Sequence, residues 1–549
     1  MANRQEKSLD SKEGGEGTFI QSSSISSGRD SSHFGKTRRA LKSRHIQLIA
    51  IGGCIGTGLF VGSGAILSTV GPANLFMAYI FMSFIIWIVM NILGEMTTYL
   101  PVKGVSVQYY VNRFCDPSLA FAAGWNYWFA YAMLVSAEIS AAALVIQYWT
   151  TAVPVAVWIT IILLTCLALN IFAVAYYGEA EFWMASIKVI AIVGLLILGV
   201  VLFFGGGPTH DRLGFRYWVH PGAMNTYMTG GTTGRFLAFW TAFARSGFAF
   251  VLGPELITVA AGETEAPRRN IPKAARRFVY RVIFFYVLGT LVIGCIVASD
   301  DPMLLQAINQ GKSGAGASPF VLGIQRAGIR GLNHVINGVI LTSAWSSGNS
   351  FLFAGSRSLY SLALTGQAPK VFRRCNRNGV PYVAVFGTFA VACLVYLNVS
   401  NGAALVFVWF MNLTTISGFI AWIVVLICYL RFRKAVSLHI GLDNLPFRSP
   451  LQPYATWLSL VVLVILTLTN GFQVFFPGQF SASSFLAAYI TIPIFLILYL
   501  GHKIWFRTPW LIDVKEVDVF PGGEEDEGLD EDTREEPRNI LERVWFWVA

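Results

Sequence analysis

The sequence predicts an all-α polytopic membrane protein with twelve transmembrane helices, the first and the sixth of them discontinuous. Three observations carry the prediction. The 549 residues are 55% hydrophobic and 13% charged, and the mean hydropathy is +0.58, a membrane composition. Apolar stretches long enough to cross a bilayer, roughly 20 helical residues each, recur from Ile46 to Phe506 with polar connections between them. Two of these stretches are interrupted in their middles by residues that break helices.

The chain opens with a tail, residues 1–42, rich in Ser, Gly, Glu and Lys. It holds too few apolar residues to bury a core and is expected to be disordered. Its polarity also leaves no candidate for a cleavable leader. A membrane domain follows over 43–506, and residues 507–549 form an acidic tail. The first span covers Ile46–Val70, and Gly71-Pro72 turns the chain. Further spans read near 74–99, 119–148, 155–176, 182–204 and 236–259, then 278–299, 336–363, 382–399, 403–430, 454–475 and 484–506. Twelve crossings put both tails on one side.

Charge decides which side. With the N-terminus inside, the inner connections hold Lys103, Arg113, Arg268, Arg269, Lys273, Arg276 and Arg277, then Lys370, Arg373, Arg374, Arg377, Arg431, Arg433, Lys434, Arg448, Lys503 and Arg507. The outer ones hold Arg212, Arg216, Arg235, Lys312, Arg326 and Arg330, all on the two longest loops. The positive-inside rule makes both termini cytoplasmic. The net charge of +10 is therefore topology rather than a nucleic-acid-binding stripe, and no nucleic-acid partner is expected. The seven cysteines are scattered with no CxxC pair, so neither a disulfide framework nor a metal site is read from them. No cofactor is expected, and no paired nucleophile and base suggests an enzyme. The acidic run from Gly522, GGEEDEGLDEDTREE, reads as a solvated or docking tail.

The first interruption is Gly52-Gly53-Cys54-Ile55-Gly56-Thr57-Gly58. Each glycine costs a helix about 1 kcal/mol relative to alanine, and backbone freed from a helix survives in a bilayer only where it lines a protein cavity. Bare N–H groups at a half-helix N-terminus are a site for a carboxylate. The alternative is close helix packing, because Gly52/Gly56 and Gly58/Gly62 have GxxxG spacing. The second interruption, Gly253-Pro254, removes a helix hydrogen bond and is followed by Glu255; a simple kink is the alternative there. The two breaks fall at matching places in two five-span halves, 1–5 and 6–10. Such a pairing points to a transport site between inverted repeats.

Other ionisable residues lie within spans. Glu138 sits in span three and Lys188 in span five; intramembrane charge costs about 2.5–3.5 kcal/mol even on the gentlest scale and reads as functional. Either group could exchange a proton near neutral pH. Lys188 could instead snorkel to the inner interface. Glu95, at the inner end of span two, reads as interfacial. Arg245, in the outer half of span six, could pair with Glu138 or with a carboxylate on a substrate.

GGCIGTGLFVGSG in span one, Glu255 followed by AAGETEAPRRNIPKAARR, and SSGNSFLFAGSRSLYSLALTGQAPK from Ser346 resemble the fungal amino-acid permeases of the amino acid–polyamine–organocation superfamily. The resemblance runs from about Ser43 to Val519. It implies the five-plus-five inverted repeat and proton-coupled amino-acid uptake across the plasma membrane by alternating access. Gly56, Thr57 and Gly58 would hold the substrate carboxylate, Glu255 and span-six carbonyls would face its ammonium group, and Phe250 would cap the site. Lys188 would occupy the place of a sodium ion in bacterial relatives, and Glu138 would take part in proton coupling. AALVIQYW, GEAEFW and GGGPTHDRLGFRYW resemble the dicarboxylic members, which implies aspartate and glutamate as substrates. Lys7, Lys12 and Lys36 would be reached by ubiquitin-dependent endocytic machinery. The same fold also serves amino-acid sensors and broad-range or neutral amino-acid permeases, and these stay open.

Overall fold

The computed structural model describes residues 55–100, 107–172, 174–255, 267–309, 318–401, 403–520 and 539. The N-terminal tail with Lys7, Lys12 and Lys36, the stretch Gly52–Cys54, and the acidic run from Gly522 lie outside them. The described residues contain helices and turns, with no strand.

Among the described residues, helices occupy parts of each stretch that the sequence reads as a span. Their caps follow from the residues at their ends. Gly71 turns at φ +83°, and Pro72 starts the helix Pro72–Tyr99 at its first position, where its missing N–H costs nothing. Asp116 caps Pro117–Ile146, its carboxylate accepting from the backbone of Ser118 (2.7 Å) and Leu119 (3.1 Å). The same carboxylate meets Lys503 at 3.2 Å, both side chains buried, which pins the last span to the third.

Among the described residues, four helices are by themselves long and apolar enough to cross a membrane: Pro72–Tyr99, Pro117–Ile146, Tyr177–Phe203 and Leu405–His439. A fifth joins them if Ala482–Tyr489 and Thr491–Phe506, bent by 46°, form one crossing. Gly58–Val70, Val155–Ile171 and Tyr454–Thr469 are shorter apolar helices. Leu332–Leu364 is long but rich in serine. Span five starts at Val174 rather than near 182, and span seven starts at Pro267, its basic first turns continuing the helix outside the apolar stretch. Short helices Val107–Phe114, Pro302–Asn309 and Pro319–Arg326 fill connections that the sequence reading left open.

The packing pairs follow a pattern. Span one lies against span six, span two against span seven, and span three against span eight. Span five packs on spans seven and eight, and span ten packs on spans two and three. Residues after the last span are not all free tail. Ile512 N–H donates to Cys115 O (3.1 Å), Tyr99 hydroxyl donates to Val519 O (2.9 Å), and Arg113 pairs with Asp518 (3.1 Å). Val517 and Val519 supply the apolar anchors, both buried.

Candidate substrate and coupling site

The described parts of the two breaks pack together at Gly58 and Ala249. In span one a π-helical turn, Gly58–Gly62, precedes Ser63–Val70. In span six the helix Gly231–Ser246 passes into a 3-10 turn at Gly247–Ala249, and Leu252 is held at φ +58°, a left-handed conformation costly for a non-glycine residue. A Cβ on Gly58 would lie 2.7 Å from Ala249 Cα, so the span-one backbone rests directly on the span-six backbone. The close-packing reading thus describes Gly58. Gly56 faces elsewhere: a Cβ there would lie 2.6 Å from Glu138 Oε1 and 3.1 Å from Ser347 Oγ.

The freed backbone groups find partners on neighbouring spans, as burial requires. Ile55 O accepts from Ser343 Oγ at 2.7 Å. Thr57 N–H donates to Glu138 Oε2 at 3.4 Å. Ala249 O accepts from the Tyr286 hydroxyl at 2.9 Å. Among the expected site residues, Gly56 and Thr57 therefore meet Glu138, with Lys188 beside them through Ser347, while Gly58 meets span six at Ala249. Lys188 does not snorkel: it is fully buried, and its Nζ donates to Ser347 Oγ at 3.0 Å.

Phe250 is buried in an aromatic cluster, its ring centroid 4.5 Å from Tyr286 and 5.6 Å from Tyr79. Glu255 is fully buried and accepts from the Tyr127 hydroxyl at 3.4 Å. The residues that follow, 256–266, lie outside the described ones. Arg245 has a partner that the sequence did not suggest: its guanidinium donates to Gln473 Oε1 at 3.1 Å, on the connection after span eleven. Glu95 corrects an expectation. It is fully buried rather than interfacial, accepting from the Tyr429 hydroxyl (2.9 Å) and Ser449 N–H (2.7 Å), which ties span two to span ten and its following loop.

Sequence reasoning missed the polar face of span eight. Ser343, Ser346, Ser347 and Asn349 are all buried there; the signal was the Ser/Gly/Asn run in an otherwise apolar segment. Asn349 accepts from Asn170 of span four at 2.8 Å. Glu181 of span five was missed as well. It is buried and accepts from Ser346 Oγ at 2.6 Å.

An all-helical bundle in which span one rests on span six, with Glu138 and Lys188 buried nearby, is the arrangement the sequence reading expects of a transporter. Comparison with known proteins agrees. Residues 45–512 match the family described as amino acid permease, and the chain belongs to that family. It is 61% identical over 513 residues to a proline-specific permease of Emericella nidulans, covering 93% of each chain. It is 55% identical to a proline-specific permease of Saccharomyces cerevisiae, over 89% of this chain and 79% of that protein. To the dicarboxylic amino acid permease of the same yeast it is 40% identical, over 93% and 86%. Among solved structures, a variant of the Eremococcus coleocola manganese transporter shares the fold, with a TM-score of 0.56 at 14% identity over 87% of this chain and 95% of that one. As an amino-acid permease the protein is a transporter and not an enzyme.

Proposed function

We propose that this permease carries proline and closely related neutral amino acids into the cell across the plasma membrane, driven by protons. The observation that carries the substrate reading is the identity pattern: 61% and 55% to proline-specific permeases against 40% to the dicarboxylic one. Acidic specificity has no such support. The geometry agrees, since Arg245, the cation that could have read a second carboxylate, is engaged with Gln473. Phe250 packs with Tyr79 and Tyr286 in an aromatic cluster beside the span-six break, an apolar setting in keeping with a neutral substrate.

Coupling follows from one donor with two claimants. The substrate carboxylate needs the N–H groups of the span-one break, and Thr57 N–H is directed at Glu138. While Glu138 is ionised, two carboxylates compete for the same donor. Once Glu138 binds a proton it loses its charge, and the substrate carboxylate takes Thr57 N–H. The substrate ammonium then faces Glu255 and the span-six carbonyls. Lys188, on Ser347 beside Gly56, supplies a fixed positive charge and leaves the proton as the mobile cation. Substrate and proton bind better together than apart, which is a coupling free energy.

Twelve crossings with cytoplasmic termini and a five-plus-five inverted repeat complete the reading. The packing pairs support the repeat. Exchanging spans 1–5 with spans 6–10 maps each pair onto itself or another: three with eight returns itself, five with eight becomes ten with three, and five with seven becomes ten with two. The test is uptake of labelled proline by cells lacking their own permeases, with each common amino acid as competitor. Proline should compete with itself and aspartate should not; strong inhibition by aspartate or glutamate would return the acidic reading.

A further inference from the structure

Between the coupling pair and the cytoplasm lies a carboxylate that the carrier mechanism above does not use. Glu181 precedes Lys188 by two helical turns of span five, a rise of about 10 Å on the same helix face. The inside orientation proposed above puts Glu181 on the cytoplasmic side of Lys188. Its carboxylate is buried and accepts from Ser346 Oγ at 2.6 Å. The next residue, Ser347, accepts from Lys188 Nζ at 3.0 Å and lies beside the Gly56–Glu138 contact. Successive serines of span eight therefore serve the two levels, Ser346 at Glu181 and Ser347 at Lys188. Glu181 also borders a small crevice lined by Leu169, Ala180, Met184, Trp345 and Asn349.

We propose that Glu181 is the proton-release carboxyl of this permease. The step balances without a co-reactant. The O–H bond on Glu138 breaks, leaving its carboxylate beside the Lys188 ammonium; an O–H bond forms on Glu181 by way of the Ser347 and Ser346 hydroxyls. Glu181 then gives the proton to water on the cytoplasmic side. The titratable groups around it are few among the described residues. Lys188 lies on its own helix with Tyr177, Cys166 faces it from span four, and span eight offers serines and Asn349. A buried carboxylate next to a charge relay can be structural, holding span eight in place, and the test must separate the two roles.

The inference rests on the proton-coupled reading, and the experiment separates their failures. The full chain is reconstituted in lipid vesicles with proline as substrate. Accumulation driven by a proton gradient is compared with proline–proline exchange, which needs no proton release. Glu181→Gln keeps the acceptor for Ser346 but cannot carry a proton. It should lose gradient-driven accumulation by at least about tenfold while exchange persists, and it should lose the slowing that internal acidification imposes on the unmodified protein. Glu181→Asp should restore part of both. Equal loss of accumulation and exchange in Glu181→Gln, or an unchanged response to internal pH, would overturn the assignment. Should Glu181→Gln fail to insert, Glu181→Asp decides: a shifted internal-pH response with normal exchange supports it, and an unchanged response opposes it. An unmodified protein that ignores the proton gradient would instead refute the proton-coupled reading itself.

Discussion

Gly58→Ala is the sharpest perturbation of the junction between the breaks. The added Cβ would stand 2.7 Å from Ala249 Cα and 3.0 Å from Ala249 Cβ. Carbon atoms settle at about 3.5–4.0 Å, so the two spans would have to part by roughly 1 Å. The obstacle is backbone, which cannot swing aside as a side-chain end can. Overpacking of this kind costs about 1–3 kcal/mol. A shift of that size changes the population of the packed state by about 5- to 150-fold. The control lies one turn along: a Cβ on Gly62 would meet nothing nearer than Thr57 O at 3.9 Å, so Gly62→Ala should transport normally. The assay is initial-rate proline uptake normalised to surface protein by biotinylation. Gly58→Ala should fall by a factor within that range with surface protein retained. Normal uptake by Gly58→Ala, or equal loss in both variants, would refute the back-to-back arrangement.

Tyr286→Phe keeps the ring against Phe250 but deletes the hydroxyl that satisfies Ala249 O; leaving a buried carbonyl unpaired costs about 1–3 kcal/mol, and uptake should drop without a change in substrate ranking. Arg245→Gln should alter uptake of all substrates alike, because Gln473 holds the guanidinium; a loss confined to acidic amino acids, measured in parallel uptake assays, would restore its substrate-reading role. Lys188→Met removes the fixed ammonium from Ser347 and should abolish protonophore-sensitive accumulation; accumulation that persists and still collapses with a protonophore would count against that role.

What the sequence made legible was the chemistry concentrated at single positions. Gly56, Thr57 and Gly58 stand out because glycine in an apolar span is expensive, and Glu255, Glu138 and Lys188 because charge is. The contact between Gly58 of one break and Ala249 of the other was readable only through the matching of the two breaks. The use of each glycine was not: Gly56 makes room for a carboxylate and Gly58 for a backbone, a distinction set by neighbours in spans three and six. Serines on span eight carry no signal by themselves, since a helix tolerates them singly, and Ser343 matters because Ile55 O has been freed 288 residues away. Arg245 and Gln473 are 228 residues apart, a pairing no local pattern encodes. Glu95 was misread because a carboxylate near a span end usually meets water; here Tyr429 and Ser449 replace the water.

The central claim is that Glu138 and the substrate carboxylate compete for Thr57 N–H, and one measurement addresses it directly. Proline affinity is determined across a pH series by exchange in vesicles for the unmodified protein and for Glu138→Gln, which mimics the protonated side chain. Ionisation of Glu138 opposes substrate binding, so the affinity of the unmodified protein should fall as pH rises. Glu138→Gln should keep the low-pH affinity throughout and lose accumulation. A Glu138→Gln variant whose affinity still falls with rising pH would contradict the account.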